Sequence, residues 1–237
     1  MPDELHIALT PPVAESVGVD ALGALLDAPR GKALGSVLLA HGAGASKEAA
    51  FLATFARGWA DAGLRVLRFD FPYMERARRE GKRRPPDRMP KLLASLREVR
   101  AFVRREIDDG PWFLAGKSMG SRAATLAAAG EDGAPLDTPG LVLLGYPLHP
   151  PKKPEKLRSD HFDRLDAPSL FVSGTRDPLC DLELLERERA KIPGESTLFV
   201  VDGGDHDLAV PKRSGRTHDE VLAETIERSA AWMAERA

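Results

Sequence analysis

The 237-residue sequence predicts a doubly wound α/β domain, a mostly parallel sheet with helices on both faces. Three observations carry this. Short apolar runs alternate with longer segments of helical period, the pattern of βαβ units. Runs such as Val142-Leu143-Leu144 do not alternate with polar residues, so these strands are expected to be covered on both faces. Two proline-containing stretches that look like insertions each follow an apolar run, on the carboxyl side where open α/β sheets bind ligands.

Along the chain, His6–Thr10 and Gly23–Leu26 are expected as leading strands. A strand at Ser36–His41 precedes a helix near Lys47–Ala62. The strand Leu64–Phe69 leads through the insertion Pro72–Pro90 to a helix at Lys91–Ile107. In that helix Leu92, Leu93, Leu96, Val99, Phe102 and Val103 recur every three or four residues and form one apolar face. The strand Trp112–Ala115 is followed by a helix at Ser121–Ala129. Leu141–Leu144 opens onto the insertion Pro147–Asp166, whose Pro147, Pro150, Pro151 and Pro154 exclude regular helix at its start. Leu170–Ser173 and Thr197–Val201 complete the strands, with helices at Leu182–Lys191 and Thr217–Arg236. No repeat or low-complexity linker interrupts the pattern. One domain over 1–237 is expected, with 72–90 and 147–166 as pocket walls or a minimal lid.

Composition narrows the function. With 43% hydrophobic and 30% charged residues, the chain can build a sizeable core without staples. A net charge of −2 gives no global attraction to nucleic acid or acidic membranes. No segment approaches the roughly 18 apolar residues of a spanning helix, and the start does not read as a secretory signal. The lone Cys180 fits a reducing compartment, so a cytoplasmic protein is expected. Glu75–Arg88 is the local exception, with seven basic residues against three acidic ones. It reads as a solvated loop or frayed helix, with an anion-binding patch as the alternative.

The strongest local signal is Gly116-Lys117-Ser118-Met119-Gly120, set between a predicted strand and a predicted helix. A strand–elbow–helix turn exposes the serine in strained backbone geometry at a helix amino end, where an oxyanion is favoured. A serine hydroxyl needs a base. His206, in Asp202-Gly203-Gly204-Asp205-His206-Asp207 just after the last strand, is the candidate. Asp177, in Gly174-Thr175-Arg176-Asp177-Pro178 after the preceding strand, is the candidate acid that orients the imidazole. Asp202, Asp205 and Asp207 are read as loop-shaping residues. An oxyanion hole needs backbone N–H donors, each worth about 3 kcal/mol. Met119 N–H supplies one, and Ala43, with Gly44 next, supplies the other from His41-Gly42-Ala43-Gly44. His41 is expected to brace that loop beside the substrate. Phe71, Tyr73, Tyr146 and His149, just past strand ends, are expected to line the mouth. Lys117 and Arg122 bracket the elbow and are read as packing residues, with steering of an anionic substrate as the alternative.

The order Ser118, Asp177, His206 is that of the α/β hydrolases, which the chain resembles over nearly its full length. Within that superfamily it is similar to the dienelactone-hydrolase-like branch. Leu39-Ala40-His41-Gly42-Ala43-Gly44, Phe69-Asp70-Phe71-Pro72-Tyr73-Met74, the elbow pentapeptide and Gly145-Tyr146-Pro147-Leu148-His149-Pro150-Pro151 together resemble the group that includes testis-expressed protein 30. The resemblance implies a compact hydrolase with a minimal lid and this triad, but no known substrate; acyl-transfer hydrolysis of an ester or thioester is the expected reaction. No metal or organic cofactor is expected, and the expected partners are a small acyl substrate and, as a further option, a second copy of the chain. A non-catalytic interaction module is the alternative, because a related hydrolase-like module serves inside a chromatin-modifying complex.

Overall fold

The structure is a computed structural model that describes residues 1–108 and 110–237. Its strands are β1 (Asp3–Ala8), β2 (Ala21–Asp27), β3 (Gly35–Ala40), β4 (Leu64–Phe69), β5 (Trp112–Lys117), β6 (Leu141–Leu144), β7 (Ser169–Gly174) and β8 (Ser196–Val201). They form one sheet in the order β1-β2-β4-β3-β5-β6-β7-β8. β1 and β2 pair antiparallel, as do β2 and β4; every later pairing is parallel. The predicted doubly wound sheet is therefore observed, with an antiparallel leading edge.

The helices are α1 (Pro11–Val17), α2 (Ala50–Asp61), α3 (Pro72–Glu80), α4 (Met89–Glu106), α5 (Met119–Ala128), α6 (Leu182–Arg189) and α7 (His218–Ala234). Successive side chains of a strand point to opposite faces, and here both faces are apolar. Trp112 and Leu114 of β5 join one core with Leu92, Leu96 and Val99 of α4 and Ala123 of α5. Phe113 and Ala115 join the other, with Leu52, Phe55 and Trp59 of α2 and Leu222 and Trp232 of α7. Full burial of such a side chain stabilises by about 1.5–3 kcal/mol. Trp59 Nε1 donates to Ser229 Oγ at 2.9 Å and so ties α2 to α7. No described helix is long and apolar enough to cross a membrane.

One helix was not expected from the sequence, and a second resolves the choice between loop and frayed helix in the basic stretch. Residues 72–80, read as part of a basic loop, form α3, and α1 precedes β2. Both begin with proline at the first helical positions and end at a glycine in the left-handed conformation, Gly18 or Gly81. Proline preorganises the first turn and glycine closes the last, so the punctuation was present. The start of the 147–166 segment is irregular, as its prolines require, but its second half is not a loose lid. Phe162 and Leu165 are buried in the core around α4 and α5.

The chain runs from β3 outward to β4 and then crosses back to β5 on the other side of β3. Loops leaving β3 and β5 therefore diverge, and a crevice opens between them at the carboxyl edge of the sheet.

Candidate active site

Ser118 connects β5 to α5 with φ 53° and ψ −114°, in the positive-φ region that a side chain resists. Its N–H donates to Leu144 O at 2.9 Å, and its carbonyl accepts from Arg122 N–H at 3.2 Å and Ser121 Oγ at 2.6 Å. The elbow is held by close backbone approach. A methyl group on Gly116 would collide with the backbone of Gly120, and one on Gly120 with the carbonyl of Ala40. These glycines let α5 settle directly onto β3 and β5.

The loop after β3 is braced from below. His41 is fully buried, accepts Phe71 N–H at Nε2 (2.9 Å) and lies 2.8 Å from Gly42 O through Nδ1. The tautomer carrying the proton on Nδ1 satisfies both contacts. Burial lowers the His41 pKa, so the ring is held neutral. Tyr73 Oη accepts Gly44 N–H at 3.3 Å and donates to Gly42 O at 3.4 Å. Burial pushes this phenol up to about 12. Gly44 N–H is thus occupied, which corrects its expected part in an oxyanion hole. Ala43 N–H has no backbone acceptor among the described residues, and Met119, at the first position of α5, has no intrahelical one.

Asp177 and His206 meet across two loops. His206 Nδ1 lies 2.7 Å from Asp177 Oδ2, and Asp177 Oδ1 accepts Leu179 N–H at 2.8 Å. The carboxylate side chain is 0% exposed and the imidazole 24%. A proton on Nδ1 facing the carboxylate leaves Nε2 as the basic nitrogen. Asp205 shapes the histidine loop by accepting Asp207 N–H (2.9 Å) and Ala209 N–H (3.0 Å) at Oδ1. Gly145, with φ +59°, gives the ring its place: a methyl group there would stand 3.4 Å from His206 Nδ1 and Cε1.

Ser118 and His206 open onto one cavity of about 750 Å³. Its walls are Ala43 of the β3 loop, Phe51 and Leu52 of α2, Leu179, and His218 and Leu222 of α7. Thr217 fixes the start of α7 with a capping box, its N–H donating to Glu220 Oε2 at 2.7 Å. Four expected mouth residues are elsewhere, and this is a correction. Phe71, Tyr73 and Tyr146 are buried in the core, where rings from strand ends pack against one another. His149 lines a separate cavity with Asp181, whose N–H its Nε2 accepts at 3.1 Å. His41 braces the loop but is also absent from the wall. Neither insertion walls the cavity: α2 and α7 do, and Phe51 and His218 were passed over because both read as ordinary helix residues.

Lys117 also lines this cavity. Its side chain is 7% exposed, its Nζ sits 3.2 Å from Asp207 Oδ1 and 5.5 Å from the Phe51 ring centre. Burial lowers its pKa, against the pull of Asp207.

Residues 33–234 match the family described as Alpha/beta hydrolase domain. The chain belongs to that family. This α/β hydrolase is 32% identical, over 183 residues, to a Mycobacterium tuberculosis H37Rv protein that carries the name of a phosphoribosyl transferase. The match covers 76% of this chain and 38% of that protein, so the chain spans well under half the length of its curated relative. Among solved structures, dienelactone hydrolase from Anabaena variabilis superposes with a TM-score of 0.73 at 22% identity, covering 99% of this chain and 98% of that one. Est1E from Butyrivibrio proteoclasticus gives 0.68 at 18% identity, covering 98% of each chain. An α/β serine hydrolase described as lacking a lid, from Xanthomonas campestris, gives 0.68 at 19%, covering 98% and 94%. At these identities the structural likeness speaks for the fold of the hydrolase.

Proposed function

We propose that this α/β hydrolase cleaves a carboxylic ester or thioester through an acyl-enzyme on Ser118. The observation that carries the reading is the His206–Asp177 contact at 2.7 Å, with that imidazole and Ser118 on the wall of one cavity. His206 Nε2 takes the Ser118 hydroxyl proton as Oγ bonds to the substrate carbonyl carbon. The carbonyl oxygen becomes an oxyanion that accepts from Met119 N–H and Ala43 N–H. The intermediate collapses as His206 returns the proton to the departing alcohol or thiol. A water then enters, loses its proton to His206 and releases the acid, restoring Ser118. Asp177 stabilises the imidazolium in both half-reactions.

Within the family, the elbow and the Gly145–Pro151 segment support kinship with the testis-expressed protein 30 group. The lone cysteine, buried and free, supports a reducing, cytoplasmic setting.

A fluorophosphonate probe is expected to label the wild type and to lose labelling in Ser118→Ala. Labelling that persists in the variant removes Ser118 from the role. Short-chain p-nitrophenyl esters separate the enzyme from a non-catalytic module: turnover no higher than the Ser118→Ala background selects the module.

A further inference from the structure

The segment Gly145-Tyr146-Pro147-Leu148-His149-Pro150-Pro151 follows β6 and takes no part in the chemistry proposed above. It is nevertheless seated against both partners of the His206–Asp177 contact. Tyr146 and Leu148 anchor it, buried in the core around α4 and α5. Gly145 N–H donates to Val172 O at 2.8 Å, and Leu148 O accepts Arg158 N–H at 2.8 Å. The prolines of the run lack a backbone N–H and fix φ, which stiffens it. Gly145 leaves the space that the His206 ring occupies. His149, four residues on, reaches the turn that carries Asp177.

That turn is tight. Asp177 Oδ1 accepts Leu179 N–H at 2.8 Å, and Asp177 O accepts Cys180 N–H at 3.2 Å. Two further polar groups of the turn, Leu179 O and Asp181 N–H, are met by a single residue. His149 N–H donates to Leu179 O at 3.1 Å, and His149 Nε2 accepts Asp181 N–H at 3.1 Å. His149 Nδ1 lies 3.0 Å from Pro150 O, so the tautomer with its proton on Nδ1 satisfies both contacts of the ring. His149 is 5% exposed, and Asp181 in turn starts α6 by accepting Leu184 N–H at 3.0 Å.

A buried histidine that bridges two loops ordinarily serves the fold, and its loss then costs stability alone. Here the bonds run in series to the candidate site. His149 holds Leu179 by its carbonyl, Leu179 holds Asp177 by its N–H, and Asp177 Oδ2 faces His206 Nδ1 at 2.7 Å. Leu179 also forms part of the cavity wall beside Ser118. A turn free to shift would carry both the carboxylate and that wall with it, and catalysis is sensitive to small displacements of this kind. We propose that His149 is a positioning residue, whose imidazole clamps the 177–181 turn and so fixes Asp177 against His206. The inference rests on the acyl-transfer reading above, in which that carboxylate orients the base.

Two substitutions that differ by a methylene test the clamp. In His149→Gln the amide oxygen has the reach of Nε2 and can still accept Asp181 N–H; in His149→Asn it is too short. With p-nitrophenyl butyrate, His149→Asn is expected to lower kcat by about ten-fold, inside the roughly 10²-fold that a misplacement of about 1 Å can cost, with KM within about two-fold. His149→Gln is expected to recover kcat to within about three-fold of wild type, because the acceptor returns. The downfield proton resonance of His206 Nδ1–H, which faces Asp177, reads the geometry without turnover. It should shift or broaden in His149→Asn and return in His149→Gln. Equal losses in the two variants, a loss carried by KM, or a wild-type kcat and resonance in His149→Asn overturns the clamp. If His149→Asn shows no cooperative urea transition, the wild type decides. Nitrogen resonances of the ¹⁵N-labelled His149 ring, assigned by their absence in His149→Gln, are expected to place the proton on Nδ1, and a proton on Nε2 overturns the proposal. A chain that turns over no ester and takes no fluorophosphonate sinks the acyl-transfer reading instead, while the His206 and His149 resonances still decide the clamp.

Discussion

The two loops that meet over Ser118 are held by different physics. The loop after β3 rests on buried ions. Asp70, fully buried, accepts Lys47 N–H at 2.7 Å, Lys47 Nζ at 2.8 Å and Arg78 Nη2 at 2.6 Å. Arg68 adds a bond to Lys47 O at 2.7 Å while pairing with Asp27. Among the described residues, the loop after β8 rests on no such cluster of buried ions beyond Asp177. Asp205 folds it locally, and the Lys117–Asp207 ion pair beside the histidine uses a carboxylate that is 71% exposed. In the proposed mechanism the first loop presents backbone donors and the second carries the group that exchanges protons. On that mechanism, the difference teaches that stability and chemistry are separable, with the burden of the fold on one side of the crevice and the burden of catalysis on the other.

Four measurements break or sharpen that division. On the catalytic side, Asp177→Asn should lower kcat by about 10⁴-fold, the loss expected when the imidazole tautomer is no longer fixed. Its urea midpoint should stay close to wild type. A large stability loss there would contradict the division. On the structural side, Asp70→Ala leaves the Lys47 ammonium buried without its acid and should cost about 3–5 kcal/mol in urea unfolding. Activity should fall with it, because the Gly42–Gly44 loop loses its support.

Acid sharpens the same point. Burial acts to raise the Asp70 carboxyl, but hydrogen bonds from Lys47 and Arg78 more than offset it, and its pKa is lowered. A depressed carboxylate contributes stability that is present above its unfolded pKa, about 3.9, and lost as pH falls through the lower folded value. The urea midpoint of the wild type should therefore decline below about pH 4, and Asp70→Asn should flatten that decline. The smallest effect is expected from Lys117→Met. A pair with one exposed member is worth about 0–1 kcal/mol, so kcat should fall by no more than about five-fold, with KM and the urea midpoint nearly unchanged.

Much of this arrangement was legible in the chain. The strands β3 to β7 could be read because both of their faces are covered, the edge strand β8 from its apolar run, and the elbow because glycine, serine and glycine fall between a strand and a helix. Asp177 and His206 could be paired because each follows its own strand. The cavity wall was not legible. Phe51 and Leu222 face Ser118 only because α2 and α7 cover the same sheet face, a relation between segments far apart in sequence. The aromatic residues past β4 and β6 misled for the opposite reason, since proximity to a strand end does not say whether a ring turns outward or inward. α3 was hidden by its charge, which masked a proline and a glycine that mark its ends.

One consequence of the Ser118 backbone remains. At φ 53° every residue except glycine sits against its own preference, so Ser118→Gly should melt higher than Ser118→Ala although both should be inert. The proposed nucleophile is thus a place where the fold works against itself. A drift towards greater thermal robustness has an open route through this position, and taking it would end the proposed chemistry.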